Sequence, residues 1–376
     1  MKISLILVFI LTGFTSLVSQ SLILRETLIT FQGNELTLGL VLANWIILTA
    51  LGSKLFSKAS IRAKNPVSLY ALFQIVLSLY IPLSIIFIRI LTNILGLASG
   101  EGTGIFSVFA SMFLILAPLN ILLGAMFPLA CHLWSCYSKK SEESAGIIFM
   151  LEAVGFVTAG PVFTFLFISH LDSFQITFIL GLLNLAAAII ILNLERGKVI
   201  KRLLITFAVC IFLSGILAIS FGLTNKIQNH SLNKQWWDNE VLECRNTVYG
   251  NLTLVKRLQQ YTIFSNGIPV ISAPHSDSER IESLVHFAML TATHSENVLI
   301  LGGGLGGTIA EALKYPLINI DYVELDPALI EMAKLIPSEM VHKELTDSHV
   351  NIKNIDANRF LRKTKVKYDI IILNLP

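Results

Sequence analysis

Five glycines, Gly302, Gly303, Gly304, Gly306 and Gly307, follow directly on the apolar run 297–301. A strand entering such a turn and leaving it as a helix lets a ligand approach the backbone, and it points helix N-terminal amides at that ligand. A glycine turn alone carries little weight. It gains weight here because Glu324 closes the next apolar run, at the offset of about 20 residues where a carboxylate accepts hydrogen bonds from ribose hydroxyls. Asp356, followed by Ala357, closes the run after that, where it is placed to meet an adenine amino group. Three strand ends on one rim form one crevice, and its chemistry is nucleoside recognition. Gly302, Gly304 and Gly307 fit the letters of G-x-G-x-x-G, but in its context the run departs from that pyrophosphate fingerprint, so an S-adenosyl-type ligand is expected rather than a dinucleotide.

The other candidate groups read more blandly. Asp277, Glu279 and Glu282 lie near the expected mouth, but three acids on one exposed helix form a solvated face. His275, His286 and His294 lack metal-ligand spacing, and Cys131, Cys136, Cys210 and Cys244 form neither a disulfide framework nor a zinc pattern. No metal is expected.

Elements that could position the crevice are legible around it. Apolar runs at 297–301, 318–323, 350–355 and 369–373 alternate with helical segments at 308–314 and 327–335, which is the pattern of a parallel, doubly wound sheet. Pro376 stands just past the fourth strand, so a partial Rossmann-like domain is expected over 274–376. Before it, β-rich runs at 241–244, 252–255 and 261–264 with an Asn266-Gly267 turn predict a small antiparallel sheet within 241–273. The segment 278–293 carries Ile281, Leu284, Val285 and Ala288 at helical spacing.

The rest of the chain belongs to a different solvent. Of 376 residues, 54% are hydrophobic and 14% charged, and the mean hydropathy is +0.70. That excess lies almost entirely before Phe221. Seven stretches, 3–24, 35–56, 67–97, 105–134, 145–170, 174–194 and 203–222, are long enough to cross a hydrocarbon core. Residues 1–223 are therefore expected as a membrane domain, with 224–240 as a polar linker. The first stretch has no A-x-A-type cleavage site and reads as an anchor. The third and fourth exceed the needed length, which predicts tilt or a kink at Pro82 or Pro118. Trp236-Trp237 read as an interfacial aromatic anchor.

A net charge of +3 is mild, and the basic residues sit in short loops beside apolar runs. That distribution suits a lipid bilayer and excludes nucleic acid. Lys54, Lys58, Arg62, Lys64, Lys139, Lys140, Arg196, Lys198, Lys201 and Arg202 mark alternate loops as cytoplasmic. Seven spans counted from that side leave everything after Gly222 outside, whereas an S-adenosyl ligand is made inside. The side of the second domain stays open in a multi-pass protein of the cell (inner) membrane. Within the spans, Glu152, Asn44, Asn120 and Asn184 read as interhelical hydrogen-bond partners, with a relay or ligand role as the sharper reading of Glu152. Arg89 reads as snorkelling from a helix end. Gly146, Gly155 and Gly160 predict close helix approach.

Residues 241–376 resemble the spermidine synthase family, the polyamine aminopropyltransferases. The resemblance is carried by the segments VLILGGGLGG from Val298, YVELD from Tyr322, DANRFL from Asp356 and YDIIILN from Tyr368. The apolar part is similar to bacterial membrane proteins that fuse a multispan region to such a domain, with GAMFPL from Gly124 as the local match. The resemblance implies that Glu324 binds the ribose, and Asp356 with Ala357 the adenine, of decarboxylated S-adenosylmethionine or its product. It also exposes departures. Leu305 stands where the family has an aspartate for the aminopropyl amine, and Asn374 stands at the general base. Gly250 replaces a glutamine, and Arg280-Ile281 replace Tyr-His. An amide has no useful basicity near neutral pH. The expectation is a membrane-bound, spermidine-synthase-like protein that binds S-adenosylmethionine or its decarboxylated form, with aminopropyl or related alkyl transfer to a polyamine left open. A transporter or scaffold carrying a degenerate domain is the alternative, and homo-oligomerisation stays open.

Overall fold

The computed structural model describes residues 2–33, 35–96, 102–138, 143–194, 199–292, 296–316 and 318–374. Lys139, Lys140, Arg196, Lys198, His294 and Pro376 lie outside the described residues. The chain divides into two compact units, Met1–Gln235 and Trp236–Pro376.

In the first unit, the apolar runs form α1 (Lys2–Thr30), α2 (Glu35–Arg62), α3 (Pro66–Ile94) and α4 (Ile105–Ser138). The helix α5 (Ser144–Pro161) continues through a π-helical turn (Val162–Phe167) into the short α6 (Ile168–His170), and then come α7 (Ser173–Leu192) and α8 (Val199–Ser220). Among the described residues, seven helical segments are long and apolar enough to cross a membrane. Start signals are local: Pro66 opens α3 at a position that needs no amide donor, and Asp172 with Gln175 forms a reciprocal capping box before α7. Pro82, Pro118 and Pro128 lie inside helices that continue through them. The π turn instead follows Pro161, whose ring removes a donor and crowds the preceding turn.

Three expectations for this unit are corrected. The segment read as a polar linker is mostly a helix, α9 (Leu223–Gln235), which buries Thr224, Gln228, Ser231, Leu232 and Gln235. Arg89 does not snorkel. It is 2% exposed and grips Glu26 with two hydrogen bonds, Nε to Oε2 at 2.8 Å and Nη2 to Oε1 at 2.7 Å. Its Nη1 donates to Gln228 Oε1 and Ser231 Oγ of α9, and Ser173 donates to Glu26. This acid lies two residues beyond Leu24, the expected end of the first span, in a helix that continues to Thr30. The third correction concerns the polar residues within the spans. Asn44 and Asn184 do donate across helices, to Phe109 O and Thr15 Oγ1, but among the described residues the Asn120 amide has no hydrogen-bond partner and Glu152 makes no hydrogen bond or ion pair. Close helix approach holds at Gly155, where a Cβ would collide with the Ile10 carbonyl, while Gly146 and Gly160 face open space.

The second unit begins with an antiparallel sheet in the order β1 (Glu240–Asn246), β2 (Asn251–Arg257), β3 (Gln260–Ser265) and β4 (Ile268–Ala273). Asn266 and Gly267, both at positive φ, turn β3 into β4. The strand β4 escaped the sequence reading because Pro269 sits inside it. After α10 (Ser278–Thr291) come β5 (Asn297–Leu301), α11 (Thr308–Ala312), β6 (Asn319–Glu324), α12 (Pro327–Ala333), α13 (Glu339–Thr346), β7 (Val350–Asn354), α14 (Ala357–Lys363) and β8 (Ile370–Leu373). All four strands of the second sheet are parallel, in the order β7-β6-β5-β8. The central β5 is hydrogen-bonded on both edges and covered on both faces, which is why its sequence is an unbroken apolar run. The chain winds from β5 to β6 and β7, then crosses back to place β8 on the other side of β5. That reversal opens a crevice at the carboxyl ends of β5 and β8.

Candidate functional site

The rim of this crevice is built by backbone pairing. Gly302 N donates to Val323 O and Asn374 N to Leu301 O, so the residues just beyond β5, β6 and β8 are held side by side. Gly302 and Gly303 take φ of 70° and 53°, a region closed to most side chains. A Cβ on Gly303 would lie 2.6 Å from Asn374 Nδ2, and one on Gly304 2.6 Å from the Tyr322 ring. The glycines let two neighbouring side chains close over the turn.

Above the rim is a cavity of about 290 Å³, lined among others by Tyr249, Gly302, Gly303, Leu305, Tyr322, Glu324 and Asn374. Glu324 is 8% exposed. Its Oε2 accepts from Tyr322 Oη at 2.7 Å and its Oε1 from Asp326 N at 3.2 Å. Burial, then the adjacent Glu324 charge, pushes the Tyr322 phenol well above its ordinary value, so it stays a donor. A carboxylate fixed this way keeps lone pairs for a pair of vicinal hydroxyls. Asp326 is occupied elsewhere, accepting from Thr247 Oγ1 and Ala328 N.

Gly306 and Gly307 are used differently from the sequence expectation. Their amides donate to Glu344 of α13, each at 2.8 Å, and Ala310 N donates to the same carboxyl at 3.1 Å. Glu344 is fully buried, and burial pushes it up to about 7 against the pull of those three amides. The first amides of α11 are thus turned inward onto the chain's own acid rather than toward the crevice. Neither the helix α13 nor Glu344 was found from the sequence. The helix has one signal, the i, i+4 spacing of the apolar Val341 and Leu345 around the acid.

Asp356 stands at the carboxyl end of β7 and caps α14, accepting from Arg359 N at 2.8 Å. Neither it nor Ala357 lines the cavity. Asn374, at the end of β8, donates through Nδ2 to Gly303 O at 2.9 Å and accepts at Oδ1 from Arg280 at 3.2 Å. A smaller adjoining cavity of about 210 Å³ is lined by Asp277, Arg280, Thr308 and Asn374. Leu305 lies between the two, 3% exposed. Gly250 is closely covered, since a Cβ there would meet the Asn266 side chain at 2.7 Å.

A parallel sheet in this order, with a glycine turn after its first strand and an acid after its second, defines a Rossmann-like domain. Residues 279–376 match the spermine/spermidine synthase domain. The polyamine aminopropyltransferase of Oceanobacillus iheyensis is 29% identical over 281 residues, covering 73% of this chain and 53% of its own length. Polyamine aminopropyltransferase 2 of Aquifex aeolicus is 26% identical over 370 residues, covering 97% of this chain and 70% of its own length. The second alignment therefore runs through the apolar helices as well. The solved spermidine synthase from Thermotoga maritima is 24% identical with a TM-score of 0.33, covering 36% of this chain and 48% of that one. The chain is a distant homologue of the polyamine aminopropyltransferases, with the family's domain in its carboxy-terminal part. It spans about half the length of the first of these relatives.

Proposed function

We propose that the second unit binds an S-adenosyl-type nucleoside in the crevice at the ends of β5, β6 and β8. The family uses decarboxylated S-adenosylmethionine. The observation that carries the reading is the buried Glu324 carboxylate, held from behind by Tyr322 and the Asp326 amide beside the glycine rim. In this reading Glu324 takes the ribose hydroxyls, and Gly302 and Gly303 let the sugar and sulfur lie against the backbone. Gly304, Gly306 and Gly307 set the turn, and Asp356 with Ala357 faces the adenine edge.

Aminopropyl transfer breaks a carbon–sulfur bond, forms a carbon–nitrogen bond and requires a base for the acceptor's proton. Asn374 cannot be that base. Its amide instead accepts from Arg280, so a guanidinium stands where an amine would have to sit. That charge favours a ligand with a carboxylate tail, so S-adenosylmethionine itself fits this end better than its decarboxylated form.

Calorimetric titration of the full-length protein tests both layers. Methylthioadenosine, which has no charged tail, should bind, and S-adenosylmethionine should bind about fivefold or more tightly than decarboxylated S-adenosylmethionine. An Arg280→Ala variant should erase that preference. Failure of all three nucleosides to bind ends the nucleoside reading, and an equal or reversed ratio ends the carboxylate preference alone.

A further inference from the structure

The seven-helix unit contains its own cavity, of about 430 Å³, walled by α1, α2, α4 and α5. Two helix pairs are drawn together at glycines. A Cβ on Gly13 or Gly155 would collide across α1 and α5, and one on Gly52 or Gly124 across α2 and α4. The space lies between these two tight pairs. Trp45, Phe127, Phe149 and Phe156 give it aromatic walls, and among the described residues that line it Glu152 is the one ionisable group.

Glu152 is handled unlike the other acids described above. Glu26 has Arg89, Glu324 has Tyr322 and an amide, and Glu344 has three amides. Glu152 has no hydrogen bond or ion pair with any described residue, and the Thr49 hydroxyl in the same cavity is also buried without a partner. It lies eight residues past Ser144, the first residue of α5, about 12 Å along the helix at the usual rise. That depth is hydrocarbon, where a lone carboxylate is costly unless something neutralises it. Among the described residues no Lys or Arg lines the cavity, and an acyl chain supplies no charge. One carboxylate balances one positive charge, so a polyamine would bring an excess. Aromatic faces favour a diffuse onium cation. Ile46 and Phe149 at the rim are 68% and 65% exposed, on helices read as membrane-spanning, so the entrance faces lipid.

We infer that this cavity is a binding site for a lipophilic organic monocation that enters from the bilayer, with Glu152 as counter-ion and Trp45, Phe127, Phe149 and Phe156 as its aromatic cage. This site is independent of the nucleoside crevice.

Equilibrium binding of radiolabelled tetraphenylphosphonium to the full-length protein in lipid nanodiscs tests it. Binding should be saturable in the wild type and at least about tenfold weaker in Glu152→Gln, given the loss of the counter-ion. The variant's helix content and single-species elution, measured alongside, establish that it is folded. The neutral triphenylphosphine oxide serves as a second probe that needs no variant, and it should bind the wild type at least about tenfold more weakly than the cation. Spermidine should not displace the cation at matched concentration. Non-saturable uptake, equal affinity in Glu152→Gln, equal affinity for the neutral probe, or displacement by spermidine would each overturn the assignment.

Discussion

The two units of this chain bury acids by opposite means. In the seven-helix unit, backbone amides are consumed by helical hydrogen bonds, so Glu26 is neutralised by another side chain, Arg89, with Ser173 closing its remaining valence. In the α/β unit, loops and helix starts leave amides free, and these hold the acids: Gly306, Gly307 and Ala310 hold Glu344, while Asp326 N supports Glu324. The reason is how much of each backbone is regular. Long helices spend their amides on themselves, as any membrane-spanning helix must, so Glu26 is met by a side chain. The α/β fold keeps irregular backbone at its site, and it uses that backbone to aim carboxylates.

The comparison is most sharply broken at Arg89. An Arg89→Ala variant leaves Glu26 buried and unpaired, and thermal unfolding in detergent should show a loss of about 3–5 kcal/mol, much of it restored by adding Glu26→Gln. If the single variant is as stable as the wild type, side-chain pairing is not what holds this end of the bundle. Glu344 gives the next largest effect, and it depends on pH. Folding raises its proton affinity, so its contribution to stability is full below the ordinary carboxylate range and is lost as pH rises through about 7. Between pH 4.5 and pH 8 the second unit should lose on the order of 3 kcal/mol from this group. Glu344→Gln should flatten that part of the urea-unfolding pH profile.

Gly303→Ala forces a Cβ against Asn374 at positive φ, and should lower stability by about 2 kcal/mol while shrinking the crevice. Chemical denaturation together with methylthioadenosine affinity reads both consequences. Tyr322→Phe is the mildest change. It removes one hydrogen bond to Glu324, worth about 1 kcal/mol, so stability should fall by about that amount and nucleoside affinity by roughly fivefold or more as the carboxylate loses its fixed position. A larger loss of stability than of affinity would mean that Tyr322 supports the core rather than the carboxylate.

Much of the fold was legible because it rests on short-range pattern. The apolar runs became helices of nearly the expected extents, and the strand, glycines and strand-end acid at 297–324 appeared in place. What escaped the sequence reading was where local and tertiary signals disagree. Pro269 disguised β4, and the polar surface of α9 disguised a helix that buries Gln228 and Ser231 because Arg89 requires them. Asp356 shows a role that spacing leaves open. Its type and spacing match a ligand-binding acid, and in the structure the same carboxylate caps α14. A helix N-cap and a nucleoside contact ask for the same residue at the same place after a strand, so spacing alone does not separate them.

By itself, the sequence determined the split between an apolar and a more polar part, the seven long apolar runs, and the alternation of strands and helices after residue 296 apart from α13. These are properties of composition and of near neighbours along the chain. Only the tertiary structure decided how each buried acid is met: Glu26 by Arg89, 63 residues away, Glu344 by the glycine turn 37 and 38 residues before it, and Glu152 by nothing in the described chain. The free energy of a buried charge is set by which group lies within hydrogen-bonding reach. That proximity is created by packing and leaves no periodicity in the sequence to read.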